Sequence, residues 1–110
     1  MTLAADCYEV TRNFPRDEIF GMTAQIRRAA ASIPANIAEG HGRENTGSFI
    51  QFLRIAQGST KELETHLLLA QRVGLLEPDR LEPLLNRTAE IGKMLRSLIR
   101  ALQQREAPPP

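Results

Sequence analysis

Apolar residues recur every three or four positions along most of the chain, which is the spacing of one face of an α-helix. Four segments show this period, and prolines or glycines separate them. The predicted helices cover residues 2–13, 17–39, 46–73 and 78–104. No segment shows the strict alternation of apolar and polar residues that is typical of a half-buried strand. The pattern therefore predicts an all-α fold.

The connections between the predicted helices are short, and short connections join neighbouring antiparallel helices. We therefore expect an antiparallel up-down four-helix bundle, with residues 1–106 as a single domain. Gly40 and Gly42 predict a left-handed cap at the end of the second helix, and Gly74 with the apolar residue after it predicts a Schellman cap on the third. Residues 107–110 read Ala-Pro-Pro-Pro, which cannot continue a helix, so a disordered tail is expected there.

The second and third predicted helices carry more apolar positions than one buried face needs. The second helix has a stripe of mostly bulky residues and a neighbouring stripe of alanines: Ile19, Met22, Ile26, Ala29, Ala30, Ile33 and Ile37 against Ala24, Ala31, Ala35 and Ala38. The third has one wide stripe, formed by Phe49, Phe52, Leu53, Ala56, Ser59, Leu63, Leu67 and Ala70, with Ile50, Leu68 and Leu69 outside it. A single bundle needs one stripe per helix, so the surplus predicts a homo-oligomer.

Composition excludes several classes of protein. The chain has 110 residues with a formal net charge of +1, and neither half of it is a basic arm or an acidic tail. Cys7 is the only cysteine, which excludes an intramolecular disulfide and a cysteine-based zinc site. No apolar run approaches the length of a membrane span and no signal peptide is recognisable, so we expect a cytoplasmic protein. A domain this small leaves little room for a deep substrate cleft, so we expect no enzymatic activity and no cofactor.

Residues 25–43, QIRRAAASIPANIAEGHGR, contain the signature SIP-x-NIAEG-x-GR, and further matching residues follow it: Phe49, residues 52–56, Gly58, Ser59 and residues 62–64. These residues resemble the four-helix-bundle protein family, also called the 23S ribosomal-RNA intervening-sequence protein family. The resemblance implies a left-handed antiparallel bundle that assembles as a homopentameric ring, with no established enzymatic activity. That family is similar in fold to the accessory proteins of diversity-generating retroelements, which are basic pentamers that bind nucleic acid alongside a reverse transcriptase.

Three arginines in this signature region are candidates for holding phosphate, because guanidinium groups match phosphate oxygens in pairs. They are Arg27, Arg28 and Arg43, and Gly40 and Gly42 would let a backbone approach them. The alternative, which we favour, is that the arginines pair with acidic side chains within or between subunits. The acids available are Glu39, Glu62 and Glu64.

The fourth predicted helix carries a basic stripe. Lys93, Arg96 and Arg100 lie within about 60° of one another on its polar face. Glu82 shares that direction, so an ordinary solvated face is the favoured alternative. Repeated around a ring, the same stripe would form a surface that binds the backbone of RNA or DNA without reading its sequence.

Several small or polar residues on the second and third helices are expected to have structural roles. Pro34 should bend its helix, and Ser32 and Asn36 should satisfy backbone carbonyls that the bend frees. Gly58 and Ser59 lie in mid-helix, where a glycine costs about 1 kcal/mol. They therefore predict the close approach of another helix rather than a ligand pocket.

Glu62, Glu64 and His66 are the one candidate set of metal ligands. Glu62 and His66 are adjacent on a helix, but two ligands from one helix are too few for a stable site. The Glu-x-x-His spacing of carboxylate-bridged metal bundles is absent, so we expect no metal. His41 could titrate near neutral pH, but the sequence places no serine or cysteine nucleophile beside it.

The sequence leaves three functional hypotheses open. The first is a helical oligomer that binds RNA, DNA or a nucleic-acid enzyme through its assembled surface. The second is a protein interaction scaffold that uses helix grooves or the proline tail. The third is a small metalloenzyme, which rests only on the weak ligand set above. We favour a binding protein that is not an enzyme.

Overall fold

A computed structural model describes residues 2–19 and 21–106. These residues form four α-helices and one short 3-10 turn, and the described ranges contain no strand. The helices are α1 (Thr2–Thr11), α2 (Met22–His41), α3 (Thr46–Arg72) and α4 (Pro78–Glu106), with the 3-10 turn at Arg16–Glu18. The prediction of an all-helical fold with four helices is therefore confirmed. The expected proline tail, residues 107–110, lies outside the described residues.

The second helix begins later than the hydrophobic pattern predicts. The prediction that the second helix begins at Asp17 is wrong, because Asp17 belongs to the 3-10 turn. Gly21, which follows this turn, has φ −103° and ψ −112° and lies outside helical geometry. The Glu18 carboxylate accepts a hydrogen bond from the backbone N–H of Met22 at 3.3 Å, which satisfies a free donor in the first turn of α2. Ile19, expected in the core, is consequently 51% exposed.

The caps explain where α3 begins and ends. The Asn45 side chain accepts a hydrogen bond from the N–H of Ser48 at 3.0 Å, as a helix N-cap does. Gly74 has a φ of +85°, and the N–H of Leu75 donates to the carbonyl of Ala70 at 2.8 Å. These features confirm the predicted Schellman cap.

The predicted left-handed cap after α2 is wrong. Gly42 has a φ of −74°, and Gly40 is a buried residue inside the helix. A Cβ atom at Gly40 would lie 2.7 Å from the Cβ of Phe52 and 2.9 Å from the Cδ1 of Phe49. Gly40 is therefore needed for the close approach of α2 and α3, because any side chain there would overlap with these aromatic residues.

The core is formed mainly by α2, α3 and α4, with α1 packed against α2 and α4. Its largest fully buried apolar side chains belong to Ile26, Leu53, Leu63, Leu67 and Leu95. Ile50 is also buried, at 8% exposure, although the pattern placed it outside the apolar stripe of α3. On α4, Thr88 completes the buried stripe and donates its hydroxyl to the carbonyl of Leu84 at 2.7 Å. A polar residue at a core position is thus satisfied by its own helix.

An open groove remains between α2 and α4. In the described chain, no Cα atom of α2 comes within 8 Å of one in α4, and α1 fills the space between them. Since α1 has only ten residues, it is about 15 Å long and covers only part of this groove. The uncovered part is mostly apolar and is lined by Pro34, Ile37, Ala38, His41, Phe49 and Leu98.

The second apolar faces predicted on α2 and α3 are open to solvent in the single chain. On α2, Ala31, Ala35 and Ala38 are exposed, whereas Ala24 is half-buried. On α3 and its C-cap, the exposed large side chains are Ile55, Leu68, Leu69 and Val73. No helix in the described ranges is long and apolar enough to cross a membrane.

Cys7 is fully buried in the core, between α1 and its neighbours. Burial raises the pKa of its thiol to about 12, and the nearby Asp6 carboxylate acts in the same direction. The thiol is therefore protonated and unreactive near neutral pH. We expect iodoacetamide at about pH 8 to leave Cys7 unmodified in the native protein and to alkylate it fully in denaturant, as measured by intact mass. Rapid alkylation of the native protein would contradict this buried placement.

Candidate nucleic-acid interface

Arg27, the first candidate phosphate ligand, is engaged by α1. Its Nε donates to the hydroxyl of Thr11 at 2.8 Å, and its guanidinium lies 4.7 Å from the centre of the Tyr8 ring. Arg27 forms no ion pair with a glutamate among the described residues of this chain, and a pairing between subunits stays a prediction. The guanidinium instead joins α1 to α2 by a hydrogen bond and a cation–π contact.

Arg28 forms an ion pair with Glu62 across α2 and α3, and it also donates to the Gln25 side chain at 2.7 Å. The same carboxylate lies 3.5 Å from Nε2 of His66. Glu62 is therefore shared by a cation on the neighbouring helix and a histidine on its own helix. Both members of the ion pair are exposed enough that it contributes little to stability.

Arg43 donates to the Glu39 carboxylate at 2.8 Å, one turn back in the sequence. Its guanidinium also lies 4.9 Å from the centre of the Phe52 ring. All three signature arginines thus have partners within the chain, and two of them use acids that the sequence offers. A phosphate bound at any of these arginines would have to displace those partners.

Ser32, Asn36 and Ser59 form one hydrogen-bonded group between α2 and α3. The two serine hydroxyls lie 2.7 Å apart, and the Asn36 amide donates to the Ser32 carbonyl at 2.8 Å and to its hydroxyl at 2.9 Å. The α-helix continues through Pro34, which frees the carbonyl of Ala30, four residues earlier. Asn36 therefore binds a different carbonyl from the one that the proline frees.

The candidate metal ligands do not converge. Glu62 faces Arg28 and His66, whereas Glu64 lines the groove between α3 and α4. Within residues 2–19 and 21–106, no group of three or more His, Cys, Asp or Glu side chains is placed to hold a metal ion.

The fourth-helix basic stripe meets a second basic stripe on α3. Lys93 and Arg96 line one wall of a groove of about 500 Å³, and Arg54 and Lys61 line the other. Glu64 is the one acidic residue in the lining. We call this the basic groove. Arg100, also predicted to belong to the stripe, is exposed on α4 but does not line the groove.

None of the four groove cations forms an ion pair among the side chains that the structure describes. They therefore differ from Arg28 and Arg43, whose charges are matched by carboxylates. Four cations against one carboxylate give the groove a local positive charge that the formal net charge of +1 conceals. Such a local concentration of charge attracts polyanions.

Sequence reasoning missed the α3 half of the groove. Arg54 and Lys61 are seven residues apart, which places them on one face of a helix two turns from each other. That spacing was available in the sequence. The face of α4 that these two residues meet cannot be read from the sequence, because helix pairing depends on the tertiary packing.

The floor of the basic groove is formed by small residues on both helices. Gly58 and Thr60 lie on α3, and Thr88, Ala89 and Gly92 lie on α4. A Cβ atom built at Gly58 would meet nothing within 4 Å. The close helix approach predicted for Gly58 is therefore absent within this chain, although the neighbouring Ser59 does contact α2.

The sequence model of the 23S rRNA-intervening sequence protein family matches residues 1–97. The chain belongs to this family. A solved structure is similar to the chain, with 32% sequence identity: a protein of unknown function from the S23 ribosomal protein family of Bacteroides thetaiotaomicron VPI-5482. The two structures share a TM-score of 0.77, with 87% of each chain covered. No curated protein matches the chain.

In this chain, the signature and the basic groove occupy different places. Residues 32–43 lie on α2 or directly after it, and none of them lines the groove. The signature residues described above make contacts that hold α2 against α3. Of the further residues that match the family, Arg54, Gly58 and Glu64 do line the groove, so the likeness covers one of its walls, but what the groove binds has to be interpreted from its own chemistry.

Proposed function

We propose that this chain is a non-enzymatic, oligomeric helical protein that binds the phosphate backbone of RNA or DNA through the basic groove. The observation that carries the proposal is the set of four cations on facing walls of α3 and α4 that form no ion pair with any side chain the structure describes. Lysine and arginine bind phosphates and release condensed counterions, and this term dominates sequence-independent binding. Of the other four sequence candidates, Arg27, Arg28 and Arg43 contribute less because each already has a partner, and Arg100 lies outside the groove lining.

Assembly would multiply the effect of each groove. The exposed alanine stripe of α2 and the exposed bulky residues of α3 are different surfaces, as a head-to-tail interface requires, and such interfaces can close into rings. The implied homopentamer, and the likeness to retroelement accessory proteins, stay predictions from the sequence. An antiparallel order of α2 and α3 is supported by contacts that run from Gly40 with Phe52, through Ser32 with Ser59, to Arg28 with Glu62.

Salt dependence tests the proposed function. We expect the purified oligomer to bind fluorescein-labelled RNA and DNA oligomers at about 50 mM salt, with log K falling linearly as log salt rises. The slope should be about −0.7 per contacted phosphate for a single strand and about −0.9 for a duplex. Fluorescence anisotropy on a sample of known oligomeric size measures both. Absence of binding at low salt would refute the proposal.

A second candidate function is a protein interaction scaffold. The observation that favours it is the open, mostly apolar groove between α2 and α4, whose other end already holds the helix α1. An amphipathic helix of a partner protein, with its apolar face laid into this groove, is the kind of ligand that such an apolar surface suits. If the oligomer binds no nucleic acid at low salt, this function becomes the better supported of the two.

A further inference from the structure

We infer that the basic groove recognises a linear chain of phosphates as such, with no contribution from bases, and that this phosphate chain lies along the seam between α3 and α4 over Gly58. The inference rests on the proposed function for the site but goes further, because it names the chemical class of the ligand. Polynucleotides and inorganic polyphosphate share this chemistry.

The cations are arranged along the groove rather than around a point. Arg54 and Lys61 are two turns apart on α3, which is about 11 Å along the helix axis. Lys93 and Arg96 occupy the facing wall on α4. An extended site with charge on both sides suits a chain of several phosphates better than a single ion, since a stretch of about 11 Å corresponds to roughly three nucleotides of one strand.

Among the residues that the structure describes, the groove lacks aromatic groups on which bases could stack. Its lining contains no Phe, Tyr, Trp or His, so no stacking platform is available. Two hydroxyls in the lining, those of Thr60 and Thr88, are donated to backbone carbonyls of their own helices, at 2.8 and 2.7 Å. The lining groups that are left to bind a ligand are the charged side chains and the amide of Gln57. Contacts from these groups to phosphates position a backbone and carry no sequence information, whereas contacts from arginine or glutamine to base edges would make affinity depend on sequence.

The floor leaves room for the ligand to approach the helices. Gly58 is in mid-helix, where alanine is the better helix former, and its backbone does not have a positive φ. No atom of this chain fills the space that its Cβ would occupy. On the facing helix, the nearest atom to a Cβ at Gly92 is Nη1 of Arg96, at 3.7 Å. A side chain at Gly58 would therefore enter the groove itself and not the protein core.

Competition between ligands tests the claim about chemistry. We expect poly(A), poly(U) and mixed-sequence RNA of one length to bind with affinities within about threefold, and inorganic polyphosphate of similar charge to displace them. Lys93→Gln should weaken all the RNAs by the same factor and reduce the salt slope by about one. RNA binding that resists polyphosphate, or that differs strongly between sequences, would overturn the inference and leave nucleic-acid binding standing. Binding of polyphosphate without RNA would support the site chemistry and refute the proposed function.

A substitution at Gly58 tests where in the groove the ligand lies. Gly58→Gln places a neutral side chain with good helix propensity in the groove, and we expect it to lower affinity for RNA and polyphosphate by about tenfold or more. Ala101→Gln is the matched control, because Ala101 is exposed on α4 and does not line the groove. It should leave affinity within about twofold. Circular dichroism shows whether each variant is folded. Equal affinity of a folded Gly58→Gln protein and the wild type would overturn the placement of the ligand over Gly58.

Discussion

Replacing both Lys93 and Arg96 with glutamate is expected to lower the affinity for RNA or DNA at low salt by about 100-fold or more. The double variant removes two phosphate contacts and places two like charges beside the ligand, and both effects act in the same direction. Lys93 and Arg96 are exposed, so the variant should fold normally. Fluorescence anisotropy at about 50 mM salt measures the loss, and the difference from wild type should shrink as salt rises.

The control for this variant has the same net charge. Arg16→Glu with Arg72→Glu also lowers the formal net charge by four, from +1 to −3, but Arg16 and Arg72 are exposed residues outside the groove. We expect its affinity to stay within about threefold of wild type. A similar loss in both double variants would mean that overall charge governs binding, and the groove would then not be the site.

The fold could be predicted largely because each helix carries local signals that agree with its packing. The apolar period defined four helices, and residues such as Asn45 and Gly74 fixed the ends of α3 through their own side-chain or backbone chemistry. The start of α2 could not be read in the same way. Ile19 has the right spacing to extend the apolar stripe, but Gly21 departs from helical geometry and isolates the preceding turn. A periodic pattern does not show where a helix is interrupted.

The candidate site could be predicted only in part, because its two walls come from different helices. Lys93 and Arg96 share a face of α4, which helix geometry alone reveals. Their meeting with Arg54 and Lys61 depends on the pairing of α3 with α4, which single-helix patterns do not specify. The same limit explains Arg27. Its partner, Thr11, is neutral, lies 16 residues earlier in the sequence and belongs to another helix, so the charges in the sequence do not reveal this contact.

The division of the arginines and lysines suggests how stability and function are separated in this protein. Arg27 joins α1 to α2 through Thr11 and Tyr8, so its removal would affect packing, whereas the exposed ion pairs of Arg28 and Arg43 contribute little to stability. The groove cations have no such partners among the described side chains, so they contribute little to the free energy of folding. Substitutions in the groove should therefore change binding without changing stability, which makes the charge-reversal experiment interpretable.

Replacing Gly40 with alanine is expected to destabilise the protein by about 2 kcal/mol. The added Cβ would lie 2.7 Å from the Cβ of Phe52 and 3.3 Å from the carbonyl oxygen of Phe49, and neither atom is at the flexible end of a side chain. Backbone displacement of this kind costs about 1–3 kcal/mol and exceeds the gain in helix propensity. The midpoint of thermal unfolding should fall by roughly 10 °C for a domain of this size.

Gly58→Ala is the control of opposite sign, because a Cβ at that position meets nothing within 4 Å. It should raise stability by up to about 1 kcal/mol, since alanine is the better helix former and no atom of the chain has to move. Both variants are to be compared by urea unfolding at one protein concentration, because assembly makes apparent stability depend on concentration. If Gly40→Ala is as stable as wild type, the tight contact between α2 and α3 is wrong. If Gly58→Ala is less stable, another copy of the chain contacts this position, and the groove floor is then covered in the oligomer and not open to a phosphate chain.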